Sequence, residues 1–437
     1  MSFLACRQGG CLVMLNAMRN GASPEHGLPT AGHLAIITAP LAGHVNPVQV
    51  LAKELNARGW SVSLVHVAAA RRFVTEPTLR FSALPCGAGD MFDAYVETLV
   101  QPTGPIRLNR MIRASAAMTG RLLDEAPTVL ERIGVTAVLA DAVEPAGPLI
   151  ARKLQLPYAV ATTGLPLFGE AGVPPPFLGW RYRPDRWGAF RNRGGYAVTD
   201  LLMRPIARVL ETRRRQWGLA EDCGPRVQVA QCPRGLDYPR CALPSTFRYG
   251  SPWRSGDQED PDLPRGGPPL VFCSLGTLQG SHRALFATMA QACAAIGARA
   301  VIGHGGGLSR EEEAALPGDP LVRAFWPQAA VLRRCSAAVL HGGFNTVLDA
   351  LAAGVPIVAL PIGFEQPATA ARIVRVGAGR MISPRRLRPR TLASALQEVI
   401  DRPGYAQAAR VIAAEIAAGT GAAGAADAIT AALTSSA

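Results

Sequence analysis

From Ala337 to Gln366 the chain reads as a short apolar run, AAVL, then HGGFNTVLDALAAG, then a second apolar run, PIVALPI, closed by Glu365-Gln366 a few residues on. Two short runs that are apolar throughout, joined by one helical segment, predict parallel strands covered on both faces with a crossover helix between them. The glycines sit where strand gives way to helix, so the backbone there can approach a ligand closely. The free amides of a helix start can hold phosphate. Polar residues follow on the first helical turns (Asn345, Thr346, Asp349) and at the end of the second strand, within reach of sugar hydroxyls. The pattern points to a nucleotide-sugar site.

The rest of the chain repeats the strand–helix alternation. HLAIITAP, WSVSLVHV, TAVLAD and LPYAVAT read as strands of one α/β half, and LVFCSLGT, ARAVIG and the region from Leu321 onward as strands of another. A length of 437 residues exceeds what one core usually supports. The expectation is an α/β protein of two facing Rossmann-like domains with a cleft between them. Residues 1–30 read as a poorly ordered N-terminal extension, 31–243 as the acceptor-binding domain, 244–268 as a Pro/Gly/Asp-rich linker and 269–420 as the nucleotide-sugar domain. Residues 421–437 read as a C-terminal helix that can return to the first domain. LAGHVNP reads as a turn, with Pro47 at the start of the helix that follows. Residues 163–200, rich in Pro and aromatics, break the alternation; they form either a wall for an apolar ligand or a long surface loop packed on itself. Helical periodicity resumes at 201–217.

Composition narrows the function. The net charge of +13 is spread over scattered arginines, with short clusters at Arg71-Arg72, Arg213–Arg215 and Arg385–Arg390, and no basic run interleaves with aromatics as nucleic-acid binding would favour. The nine cysteines have no CxxC or zinc spacing, which fits reduced thiols in a cytoplasmic setting and no metal site. No run of apolar residues is long enough to span a bilayer.

Particular side chains then suggest chemistry. Gly43-His44 follows the first strand, at the end of the sheet where open α/β folds bind ligands. An imidazole there serves either as a general base or as a turn-packing residue. Asp141 closes another strand and would either orient His44 or form a turn. Ser274, Gly276 and Thr277 follow the first strand of the second half and suit phosphate oxygens. His341 stands beside the helix start, and Asp349, about two turns on, suits ribose hydroxyls.

FWPQAAVL followed by HGGFNTVLDALAAGVPIVALPIGFEQP, with APLAGHVNP near the start, resembles the signature of inverting family 1 glycosyltransferases of the GT-B fold. LADAVEPAG, FCSLGTLQG and TVLDALAAGVP are similar to bacterial zeaxanthin glucosyltransferases of carotenoid pathways. The likeness runs from about His33 to the C-terminal helices. It implies His44 as the base with Asp141 as its partner, and Ser274, Gly276, Thr277, His341, Gly343, Asn345 and Thr346 around the diphosphate. Phe325 or Trp326 would stack on uracil, with Gln328 near the uridine, Asp349 at the ribose, and Glu365 and Gln366 on glucose. It further implies UDP-glucose as donor, no permanently bound cofactor, a lipophilic hydroxylated acceptor such as zeaxanthin, and contact with the inner face of the cytoplasmic membrane. A glycosyltransferase for another lipophilic acceptor, a binding protein without transfer activity and a two-domain UDP-sugar epimerase are the competing readings.

Overall fold

The computed structural model describes residues 31–85, 89–100, 104–220, 224–256 and 263–435. The expected extension at 1–30 lies outside them. In the first half the order is β1 (Gly32–Ile37), α1 (Ala42–Asn56), β2 (Trp60–His66), β3 (Arg80–Ala83), α2 (Gly89–Val100), α3 (Pro105–Arg132), β4 (Ala137–Asp141), α4 (Ala146–Lys153), β5 (Tyr158–Thr162), α5 (Arg186–Gln216), β6 (Gln228–Ala230) and β7 (Phe247–Arg248). The second half holds β8 (Leu270–Ser274), α6 (Arg283–Ala295), β9 (Arg299–Gly303), α7 (Arg310–Ala314), β10 (Leu321–Arg323), α8 (Gln328–Leu332), β11 (Ala337–Leu340), α9 (Phe344–Ala352), β12 (Ile357–Ala359), α10 (Gln366–Arg375) and β13 (Gly379–Met381). The helices α11 (Pro389–Asp401), α12 (Pro403–Ala418) and α13 (Gly421–Thr434) close the chain.

All strand pairings are parallel, and the orders are β3-β2-β1-β4-β5-β6-β7 and β10-β9-β8-β11-β12-β13. The period-2 side-chain alternation of a strand is visible in the cores. Leu34 and Ile36 of β1 enter one apolar cluster and Ala35 and Ile37 the other; Phe272 and Cys273 of β8 divide in the same way. Each sheet is therefore covered on both faces, as the apolar runs required. Sheet order reverses direction between β1 and β4, and again between β8 and β11. Those are the two places where crevices open at the carboxyl ends of the strands.

Several sequence expectations need correction. The expected turn at LAGHVNP is already helical, so His44 sits on the first turn of α1 and Pro47 lies inside it. The first sheet reaches into the expected linker, because β7 occupies 247–248 and pairs with β6. The aromatic segment is only partly loop, since α5 starts at Arg186, capped by the Asp185 side chain accepting from Gly188 N. At the far end α13 lies on α1. Arg58 Nε donates to Asp427 (2.6 Å), Trp60 Nε1 donates to Thr430 Oγ1 (3.1 Å), and Ile429 and Leu433 join the core of the first sheet. The preceding helix, α12, instead packs Ala409 and Ile412 into the core of the second half. The α12–α13 pair thus straps the halves together.

Candidate active site

The first crevice brings His44 and Asp141 together. β1 and β4 are neighbours, so the residue ending β4 meets the first turn of the helix after β1. His44 Nδ1 lies 2.9 Å from Asp141 Oδ2 and 2.8 Å from Thr163 Oγ1. Asp141 is buried and also accepts from Thr38 Oγ1 (2.6 Å) and Val143 N (3.2 Å). An ionised carboxylate only accepts, so Nδ1 carries the proton and Nε2 keeps its lone pair. Burial alone would lower the His44 pKa, but the charge and hydrogen bond of Asp141 and the charge of Glu365 outweigh it, leaving the imidazole above 6.5. Burial alone would raise Asp141; the charge and hydrogen bond of His44, with those from Thr38 and Val143, hold it below its ordinary value. The pair has the form of a base with its orienting carboxylate.

The second crevice holds the glycine turns. Gly276 has φ +71, and a Cβ there would meet the His341 ring at 2.8 Å; one on Gly343 would meet His341 Nε2 at 2.3 Å. A side chain at either glycine would collide with the imidazole, so both positions leave room for it. Burial pushes His341 down to about 4, so at neutral pH it is an uncharged hydrogen-bonding group, and its Nδ1 is buried with no partner among the described residues. Gly343 precedes α9 without a side-chain cap, leaving the first-turn amides, Thr346 among them, to a ligand. Thr277 is exposed beside this turn. Ser274 is committed to the fold: its hydroxyl donates to Gly303 O (3.0 Å) and accepts from Gly276 N (3.2 Å).

Asn345 joins the two crevices. Pro47 lacks an N–H, so the Gly43 carbonyl has no helical donor four residues on; Asn345 Nδ2 donates to it instead, at 2.6 Å. Asn345 Oδ1 accepts from Gln231 Nε2 (2.8 Å) and Arg254 Nη2 (3.3 Å). The side chain expected on the diphosphate is therefore a clasp between the halves in this state. Arg254 also donates through Nε to Asp349 Oδ1 (2.6 Å), and Gln328 Nε2 donates to Asp349 Oδ2 (2.5 Å), so the expected ribose group is already paired on both oxygens. Of the two candidate rings, Trp326 is turned inward, donating to Ile302 O (2.9 Å) beneath Arg323, while Phe325 is 68% exposed.

Glu365 faces His44 from the second half. Burial raises its carboxyl, partly offset by a backbone hydrogen bond and by His44. The preceding Phe364 is held at φ +56, a costly conformation for an aromatic residue, and packs against the core of the first domain. Gln366 Oε1 accepts from Ile362 N and Gly363 N, which fixes the loop that presents Glu365. Sequence reading missed Thr38, Thr163, Gln231 and Arg254. It also missed Glu144, a buried carboxyl near Asp141 that accepts from Thr119 Oγ1 and is pushed up to about 7 by burial. Nothing in their local sequence marks these five.

Residues 288–431 match the family described as erythromycin biosynthesis protein CIII-like, C-terminal domain. The zeaxanthin glucosyltransferase of Pseudescherichia vulneris is 35% identical over 84% of this chain and 90% of its own length. The chain belongs to the family 1 glycosyltransferases. The zeaxanthin glucosyltransferase of Pantoea ananas is 34% identical to this glycosyltransferase, over 80% of it and 84% of the relative. The demethyllactenocin mycarosyltransferase of Streptomyces fradiae is 28% identical over 86% and 81% of the two chains. Among solved structures, the calicheamicin glycosyltransferase CalG4 superposes with a TM-score of 0.71 over 93% of this chain and 99% of its own, at 21% identity. This glycosyltransferase therefore has the GT-B fold, and its two crevices face each other across the cleft of that fold.

Proposed function

We propose that this glycosyltransferase moves glucose from UDP-glucose to the hydroxyl groups of zeaxanthin, giving β-glucosides, in the cytoplasm. The observation that carries the reading is the likeness to two zeaxanthin glucosyltransferases over most of the chain. The His44–Asp141 pair supplies the matching chemistry. Nε2 of His44 takes the acceptor proton as the acceptor oxygen attacks the anomeric carbon. The bond from that carbon to the β-phosphate oxygen breaks, its electron pair leaves with UDP, and the sugar configuration inverts. Amides at the start of α9, His341 as an uncharged partner and Thr277 would receive the diphosphate. Phe325 would stack on uracil, Gln328 and Asp349 would hold the ribose, and Glu365 with Gln366 would hold glucose hydroxyls. The mycarosyltransferase relative favours a macrolide as the second acceptor class. Purified protein incubated with UDP-glucose and zeaxanthin in lipid vesicles should yield the mono- and then the diglucoside. No glucoside from zeaxanthin, alongside turnover of a macrolide, rejects the carotenoid assignment; UDP binding with no turnover of any acceptor rejects transfer.

Arg254 gives a sharper test of the donor site. A diphosphate is dianionic or more, and among the charged groups described around α9 this guanidinium already touches both its first turn and Asp349. On donor binding it would turn to the phosphates and release Asp349 to the ribose. Arg254→Gln should weaken UDP binding about tenfold, the scale of one charge-assisted bond, as titration calorimetry would record. An unchanged affinity removes Arg254 from the donor site.

The raised His44 pKa fixes the pH dependence. The base works only when Nε2 is free, so turnover should fall as pH drops through a value above 6.5. Asp141→Asn removes the main raising influence, so its acid limb should move to lower pH while turnover falls on the order of 100-fold. A pH–rate profile of both forms checks this, and an acid limb that stays in place contradicts the pairing.

A further inference from the structure

We propose that the outward face of α5 docks this enzyme on an anionic lipid bilayer. Trp187 and Phe190, and two turns on Val198, Leu201 and Leu202, fall on one face of that helix, and all are exposed, Trp187 at 63% and Phe190 at 69%. Large apolar side chains held in water along one helix face mark an interaction surface. The inward face explains why they point out. Gly188, Asn192 and Gly195 are buried there, with Gly195 against Trp180 and Pro175, so the small residues seat the helix and leave the large ones to solvent.

Charge identifies the occupant. Arg186, Arg193, Arg204 and Arg208 line one side of the stripe, with Asp200 the one acid among them, and Arg193, Arg204 and Arg208 form no ion pair among the described residues. α3 runs beside α5, with Asp124 paired to Arg213 and Gly120 against Val209, and its exposed start adds Ile106, Arg107 and Arg110. Trp, Phe and Leu between arginines is the composition of a helix that lies in a lipid headgroup layer. A second copy is a poorer occupant, because an antiparallel two-fold contact would set one arginine rim against the other, and a parallel one would leave both rims without acidic partners beyond Asp200. No single described helix is long and apolar enough to cross a membrane, and the proposed contact is a peripheral one through α5.

The placement also suits the reaction. The segment between β5 and α5 starts at Thr163, which touches His44, and passes Gly179 against Pro367 at the start of α10. A bilayer under α5 would lie at the end of a short wall leading to the base. This last step rests on the lipophilic acceptor proposed above; the docking itself does not.

Flotation of the full chain with phosphatidylcholine vesicles, with and without phosphatidylglycerol, at low and high salt and without donor or acceptor, tests the docking separately from the activity. The wild type should float with the anionic vesicles and release in salt. Trp187→Ser with Phe190→Ser, and independently Leu201→Ser with Leu202→Ser, should each lower partitioning more than about tenfold with unchanged UDP affinity and melting temperature. Arg193→Ser with Arg204→Ser should remove the preference for phosphatidylglycerol. A wild type that stays below the vesicles, apolar variants that float like it, or a dimer that those variants split overturns the proposal.

Discussion

Replacing His44 by Ala is expected to cut turnover about 100- to 10,000-fold, the usual contribution of a positioned general base, with UDP affinity unchanged. The geometry makes this a clean experiment. Asp141 keeps Thr38, Thr163 and Val143 as hydrogen-bond partners when the imidazole is gone, so the first crevice should survive. The groups proposed for the nucleotide lie across the cleft on other elements. Single-turnover rates with saturating donor, set beside calorimetric UDP binding, separate the two effects. A variant with near-normal turnover would show that another group takes the acceptor proton.

The largest loss of stability should follow Asp237→Ala. Asp237 Oδ1 accepts from Arg372 Nε and Nη2 at 2.9 and 2.8 Å, and Oδ2 accepts from Arg240 Nε and from the Tyr249 hydroxyl, both at 2.9 Å. Arg372 is fully buried beneath the Tyr238 ring. Removing the carboxylate strands a charge inside the protein, which typically costs about 3–5 kcal/mol, whereas Arg402→Ala, which removes only the exposed partner of Glu398, should cost about 0–1 kcal/mol. Urea denaturation of both variants measures the contrast, and equal shifts would mean that water reaches the Asp237 site. Burial alone would raise the Asp237 carboxyl, but Arg372 and Arg240 outweigh it and hold it below 3.8. This contribution is therefore present above the unfolded value and lost as pH falls through the lower folded one.

What the sequence made legible follows from which forces are local. The strands β1, β2, β4 and β5 showed themselves because a parallel strand covered on both faces is apolar at most positions, small buried exceptions such as Ser63 aside. His44, Asp141 and the glycine turn at His341 were legible because ligand-binding loops follow strand ends. The length of α3 was not legible, since a proline normally marks a boundary and Pro127 here sits inside the helix. The start of α5 was hidden by Gly188, Gly194 and Gly195, poor helix formers, two of which are buried against Arg183 and Trp180. Arg254 and Gln231 lie on stretches without regular structure. They meet Asn345 only because two sheets far apart in sequence face each other, and no periodicity encodes that.

The proline in α1 has a consequence for timing. By denying the Gly43 carbonyl its own helical donor, Pro47 makes the peptide next to His44 depend on a side chain from the opposite half. At 2.6 Å that bond is at the short end of the N–H···O range, so separating the halves by more than a fraction of an ångström weakens and then breaks it. Any opening of the cleft must therefore release that peptide, and any closure must recapture it. Opening of the cleft would free the backbone that carries His44, while Asp141 and Thr163 of the same half still hold its ring.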